Sequence, residues 1–221
     1  MLFEYPVKAE FGRIVPKNKI YERAKASKKL RERFVDEVGQ IVWKYKLAPE
    51  TVNLPAKGSV REIQVFTIAA KTEEVSEDVL RCIDKTIPSP IIFELALNDK
   101  GRTVVAYKRP SDSSSDAWVV GSYFGTNWSS SLTPSASLPV VLDMESLFES
   151  ILRKLIIQRA RQGETLRDLV QRVEQIRANE INLKKLERQL SQEKQFNRKV
   201  GLNSEIRKMQ NEINRLSSEQ K

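Results

Sequence analysis

Ile91-Ile92-Phe93-Glu94-Leu95-Ala96-Leu97-Asn98-Asp99-Lys100-Gly101-Arg102-Thr103-Val104-Val105-Ala106-Tyr107-Lys108 sets two β-rich runs on either side of a turn. Branched and aromatic side chains favour extended backbone, and Asn, Asp and Gly tolerate the positive backbone angles of a tight turn. The stretch predicts a β-hairpin turning through residues 98–101. That turn sets Leu97 opposite Arg102 and Glu94 opposite Val105.

Upstream, Pro88 and Pro90 close a helix that Ser76 opens, with Val79, Leu80, Ile83 and Ile87 on one face. Residues 61–70 alternate Ile63, Val65 and Thr67 with Gln64, Phe66 and Ile68, the pattern of a strand buried on both sides. Before the loop bracketed by Pro49 and Pro55, residues 41–46 alternate as a strand, with Trp43 and Tyr45 on one face and Lys44 and Lys46 on the other. Ser27 offers an N-cap to a helix carrying Leu30, Phe34, Val38 and Ile41. Downstream come a polar loop at 111–116, a strand at 117–124, and a Ser-rich connection at 125–139 whose Trp128 is expected to fold back onto the core. A short strand at 138–142 and a helix capped by Asp143 complete the series. This order predicts one α+β domain over residues 1–160, with a mixed or antiparallel sheet and packed helices.

Residues 161–221 read differently. Leu166, Leu169, Val173, Ile176 and Leu183, then Leu186 and Leu190, and finally Leu202, Ile206, Met209, Ile213 and Leu216 trace apolar seams at heptad spacing through a highly charged arm. The seam breaks over 191–201, where Gly201, Asn203 and Ser204 offer a turn and a new N-cap. The arm is therefore a bent coiled-coil helix or a helical hairpin. A seam this long must pair with another copy, another protein or itself. Leu202, Ile206, Met209, Ile213 and Leu216 are the expected partner-binding residues, and homodimerisation is the competing use.

Net charge is +9, distributed as +5 over residues 1–50 (12 Lys and Arg against 7 Asp and Glu), −4 over 51–150 (9 against 13) and +8 over 151–221 (17 against 9). Two basic ends around a mildly acidic middle suggest contact with a polyanion. Lys17, Lys19, Arg23, Lys25, Lys28 and Lys29 cluster near the N-terminus with Tyr21 among them, an interleaving suited to phosphate contact and one stacking platform. These six are the expected nucleic-acid-binding residues.

The chain holds no histidine and a single cysteine, Cys82, which removes the commonest general base, the usual triads and a structural zinc. It has no phosphate-cradling glycine loop. No catalytic residue, metal or cofactor is expected. The enzymatic alternative is a divergent metal-dependent nuclease centred on Glu94 and Lys108. The hairpin register speaks against it: Glu94 shares a face with Tyr107, Lys108 faces the other way, and Ala106 stands where a metal-binding carboxylate is needed. The first residues lack a signal-peptide pattern and no stretch reaches the roughly 20 apolar residues of a membrane span, so a cytoplasmic protein is expected.

Pro16-Lys17-Asn18-Lys19-Ile20-Tyr21-Glu22, residues 40–51 (QIVWKYKLAPET), Pro90-Ile91-Ile92-Phe93-Glu94-Leu95, Ala106-Tyr107-Lys108-Arg109-Pro110 and Glu193-Lys194-Gln195-Phe196-Asn197-Arg198-Lys199-Val200 together resemble a bacterial and archaeal family known as domain of unknown function 4391. The resemblance covers nearly the whole chain. It implies an uncharacterised companion of helicases and DNA methyltransferases in restriction or phage-defence loci. The combined expectation is a non-catalytic adaptor that docks such a helicase or methyltransferase through the arm and contacts DNA through its basic residues.

Overall fold

The computed structural model describes residues 2–113, 117–130 and 133–218. Residues 114–116 of the expected polar loop, 131–132 of the Ser-rich connection and 219–221 of the arm lie outside the described residues. The chain divides into two compact units between Ile156 and Ile157.

The first unit is α+β. Its strands are β1 (Glu10–Ile14), β2 (Val38–Leu47), β3 (Ile63–Ala70), β4 (Ile91–Leu97), β5 (Lys100–Pro110), β6 (Trp118–Gly125) and β7 (Ser129–Ser130). Its helices are α1 (Lys17–Ala24), α2 (Lys28–Glu37), α3 (Pro49–Val52), α4 (Glu77–Thr86) and α5 (Met144–Leu155). The sheet runs in the order β1-β2-β3-β4-β5-β6, with β7 also on β5. Among the described strands each pairing is antiparallel except β3 with β4, which are parallel because α4 carries the chain from one to the other.

Helices cover both faces. Phe66, Ile68, Phe93, Leu95, Val104, Ala106 and Tyr123 pack with Val79, Leu80, Cys82 and Ile83 of α4 and Phe34 of α2 in one cluster. On the opposite face α5 packs on β5 and β6 and buries Met144, Leu147, Phe148, Ile151, Leu152 and Leu155. Burial on both sides explains why β3 and β4 read as apolar runs.

Among the register shifts of the sheet, those at Trp43/Tyr45 and Ala106/Lys108 set which side chains share a face near the site. Trp43 pairs with Phe66 and Tyr45 with Val65, so the extra residue Lys44 turns Tyr45 to the other face. The expected sharing of a face by Trp43 and Tyr45 is thus corrected: Trp43 stacks on Phe66 at 5.9 Å, whereas Tyr45 packs on Tyr5 at 4.9 Å. In β6, Ala106 pairs with Tyr123 but Lys108 pairs with Val120, which leaves Gly121 and Ser122 opposite the single residue Tyr107. Arg81 of α4 clasps this bulge, donating to the carbonyls of Val120 at 2.6 Å and Gly121 at 2.9 Å.

The opening hairpin forms with a tighter turn than its composition suggests. Leu97 pairs with Lys100 and Glu94 with Thr103, so the turn is Asn98-Asp99 alone, with Asn98 at φ 52°. Other local expectations also shift. Residues 17–24 form α1, closed by Lys25 in the left-handed conformation, and Val38 begins a strand instead of extending α2. Ser27 and Asp143 accept hydrogen bonds from Leu30 N and Ser146 N as capping residues, while the Ser76 side chain makes no cap bond. No strand forms at 138–142, where Val140 and Leu142 are exposed. Trp128 does pack against the core and donates to Glu73 O at 3.0 Å.

The second unit contains α6 (Leu166–Gln192) and α7 (Phe196–Ser217), packed together as a helical hairpin. Its turn is residues 193–195, not the glycine: Gly201 lies inside α7. The Glu193 carboxylate builds the turn by accepting from Lys194 N and Gln195 N, both at 2.8 Å. At the other end Arg172 is buried, bidentate to Glu164 at 2.7 and 2.8 Å, and donates to Leu216 O at 2.9 Å and Arg159 O at 2.8 Å. The guanidinium thus fastens the start of α6 to the last turn of α7, whose free carbonyls favour a cation.

Within the first unit, Lys108 is fully buried and joins β5 to α4. Its ammonium donates to Asp84 O at 2.8 Å, Ser89 O at 3.0 Å and Ile87 O, and lies 3.5 Å from Asp84 Oδ1. Lys108→Met is expected to lower unfolding free energy by about 3–5 kcal/mol, since it leaves a buried carboxylate and three carbonyls without their cation. Urea titration of both proteins followed by circular dichroism measures this, and a loss within about 1 kcal/mol would show the network to be dispensable.

Candidate nucleic-acid interface

The six basic residues singled out near the N-terminus have different surroundings. Lys17 is half-buried and donates to Phe34 O and Val38 O, serving the carbonyl end of α2. Burial lowers the pKa of its ammonium, with Lys71 adding to the effect. Lys71 donates to Val35 O at the same helix end, so two lysines are spent on one C-terminus. Lys19 and Arg23 are exposed on α1, at the rim of a groove of about 490 Å³ floored by Trp43, Phe66, Ile83 and Ile87. Lys25 caps α1, Lys28 begins α2, and both are exposed. Lys29 instead lines a cleft between α2 and α4.

Tyr21 does not stand free as a stacking platform. Its ring packs edge-on against Phe34 at 5.2 Å and lies under the Arg31 guanidinium at 5.6 Å.

Glu94 and Lys108 occupy opposite faces of the sheet. Each has its own partners, so the two do not form one site. Glu94 is buried and accepts from the hydroxyls of Tyr5 and Thr103, both at 2.7 Å. Burial raises its carboxyl above the usual range, and the Thr103 and Tyr5 hydroxyls oppose that rise. Lys108 belongs to the network of Asp84 and Tyr123, whose hydroxyl donates to Asp84 Oδ2 at 2.6 Å. Burial pushes Asp84 up to about 6 against the pull of Lys108 and Tyr123, and it lowers Lys108 against the pull of Asp84. Three carbonyl acceptors around one nitrogen require the ammonium form, so the pair is read as charged. Among the described residues no group of three or more His, Cys, Asp or Glu side chains gathers in a metal-binding set.

The arm places the expected partner-binding seam inside its own hairpin. Ile206 and Leu216 are buried and Leu202, Met209 and Ile213 half-buried, on the helix that α6 packs against. The seam is the pairing surface of two helices of one chain. Exposed apolar residues on the hairpin include Ile181, Phe196 and Val200.

Charge concentrates at the turn end of the hairpin. Residues 181–208 carry Lys184, Lys185, Arg188, Lys194, Arg198, Lys199, Arg207 and Lys208 against Glu187, Glu193 and Glu205, a net +5. All eight cations are exposed. Glu193 is largely committed to the turn amides, and Arg198 lies 3.9 Å from it. Heptad repeats make the seam legible in the sequence, whereas this polarity becomes visible once the turn at 193–195 folds the two charged segments side by side.

A mixed α+β unit bearing a basic helical hairpin is the class the geometry defines. The chain matches the family described as Domain of unknown function (DUF4391) over residues 3–213, and it belongs to that family. No curated protein and no solved structure matches it. No helix among the described residues is long and apolar enough to cross a membrane.

The buried Glu94 makes stability depend on pH. A carboxyl whose folded pKa lies above its unfolded value contributes stability below the unfolded value and loses that contribution as pH rises through the folded one. Glu94→Gln should therefore gain in melting temperature relative to wild type as pH is raised from 4.5 toward neutrality. Thermal unfolding of both proteins across that range checks it; a constant difference would mean that Glu94 titrates alike in both states.

Proposed function

We propose that this protein is a non-catalytic accessory subunit of DNA-processing machinery that contacts nucleic acid through the turn half of its C-terminal hairpin. The observation that carries the reading is the eight exposed cations against three acids in residues 181–208. Such a surface favours phosphate backbones of any sequence, since the energy comes from releasing condensed counterions and not from base edges. The α6 helix spans about 40 Å at about 1.5 Å per residue, so its turn half extends over several nucleotides of backbone. Ile181, Phe196 and Val200 are exposed apolar residues on the hairpin that a helicase or methyltransferase partner could cover.

Binding of a short duplex, followed by fluorescence anisotropy across a salt series, tests the proposal. Wild type should bind without sequence preference and weaken steeply with salt. The variant K184E/K185E/R198E/K199E should bind at least about tenfold more weakly, with a salt dependence shallower by about 3–4 in log–log slope. Retained affinity and slope would overturn the reading.

A further inference from the structure

Between α2 and α4 lies a cleft of about 350 Å³ that the hairpin does not involve. Lys29 and Arg33 line it from α2, and Asp78, Arg81 and Lys85 from α4, with Cys82 at its floor. Residues 78, 81, 82 and 85 fall on one side of α4 because helical neighbours recur every three or four positions.

Four cations share this space with one carboxylate. Asp78 is engaged by Arg33 at 2.5 Å. Lys29 and Lys85 are exposed and have no ion pair among the described residues. Arg81 is held in place by its two bonds to the β6 bulge and by the Tyr123 ring, 5.2 Å from its guanidinium carbon. Its nearest acid, Glu77, is 4.0 Å away and exposed. The first turn of α2 opens on this cleft with Lys28 and Lys29 and no acid, an arrangement the helix dipole opposes unless an anion sits nearby. Cations held from two directions around a depression of this size match a compact, multiply charged oxyanion.

We propose that the cleft binds a terminal phosphate or diphosphate group, carried either by a free nucleotide or by a strand end. Lys29 and Lys85 supply the unpaired charge, Arg81 the preset guanidinium, and Arg33 exchanges between Asp78 and the ligand. The site belongs to the globular unit and stands whether or not the hairpin binds nucleic acid.

Isothermal titration of the full chain with pyrophosphate at low salt tests it. Wild type should bind with one-to-one stoichiometry, and K29E/K85E should lose at least about tenfold in affinity. K19E/R23E, with the same charge change beside the neighbouring groove, should bind like wild type, as should the hairpin variant K184E/K185E/R198E/K199E. Occupancy should also slow alkylation of Cys82, the sole thiol, which is 4% exposed at the cleft floor. A nucleoside 5′-monophosphate that matches pyrophosphate identifies a free nucleotide as the source. Preference for a 5′-phosphorylated over an unphosphorylated oligonucleotide, lost in K29E/K85E, identifies a strand end. No pyrophosphate binding, or equal losses in K29E/K85E and K19E/R23E, would overturn the proposal.

Discussion

The ammonium of Lys108 is the constraint on which the globular unit depends. A lysine taken wholly out of water must find acceptors for three N–H groups, and here the carbonyls of Asp84, Ile87 and Ser89 supply them. Those carbonyls lie at and just beyond the end of α4, where backbone donors run short: Asp84 O also takes the Ile87 N–H, but only at 3.4 Å. One side chain from β5 therefore terminates the helix that connects β3 to β4 and fixes its axial position over the sheet. Asp84, drawn into the same network, reaches β6 through the Tyr123 hydroxyl. Arg81, one turn earlier on α4, binds the β6 bulge itself. The helix is thus registered against β5 and β6 by polar contacts, and its apolar face only has to fill space.

That network also shows where sequence reading stops. The hairpin, the β3 strand, the α4 and α5 helices and two of four proposed N-caps are legible because they rest on local chemistry: alternation, helical periodicity and short polar side chains before apolar runs. Lys108 itself reads as an ordinary strand lysine, since nothing local says that a helix end will lie over it. The bulges at Lys44 and at Gly121-Ser122 are equally silent. Each is one extra residue relative to a partner strand, and the partner is known only after folding. The consequence for Trp43 and Tyr45 is complete, because a one-residue slip moves a side chain to the other face.

The basic residues teach the same lesson about sites. Six neighbouring cations near the N-terminus look equivalent along the chain, yet folding divides them by role. Lys17 is drawn to the carbonyl end of α2, Lys25 takes the left-handed position that ends α1, and Lys29 joins Arg33, Arg81 and Lys85 from elsewhere. Proximity in sequence is therefore a poor guide to proximity of charge. Spacing along α4 was the available signal for the cleft, and it gains meaning only when α2 is laid beside that helix.

In the hairpin, seam and charge answer to opposing demands. Eight cations against three acids leave the turn half with a net +5, a self-repulsion that Glu193 beside Arg198 at 3.9 Å offsets only in part. Its stability must come from the enclosed seam and from the far end, where Arg172 ties Glu164, Arg159 and Leu216 together away from solvent. The division is economical: attraction is placed at the base and exposed positive charge at the turn. A seam reserved for another protein would leave the two helices apart and remove the cohesion that opposes this repulsion. Self-pairing of Leu202, Ile206, Met209, Ile213 and Leu216 with α6 is therefore what allows the turn half to stay folded while carrying unneutralised charge.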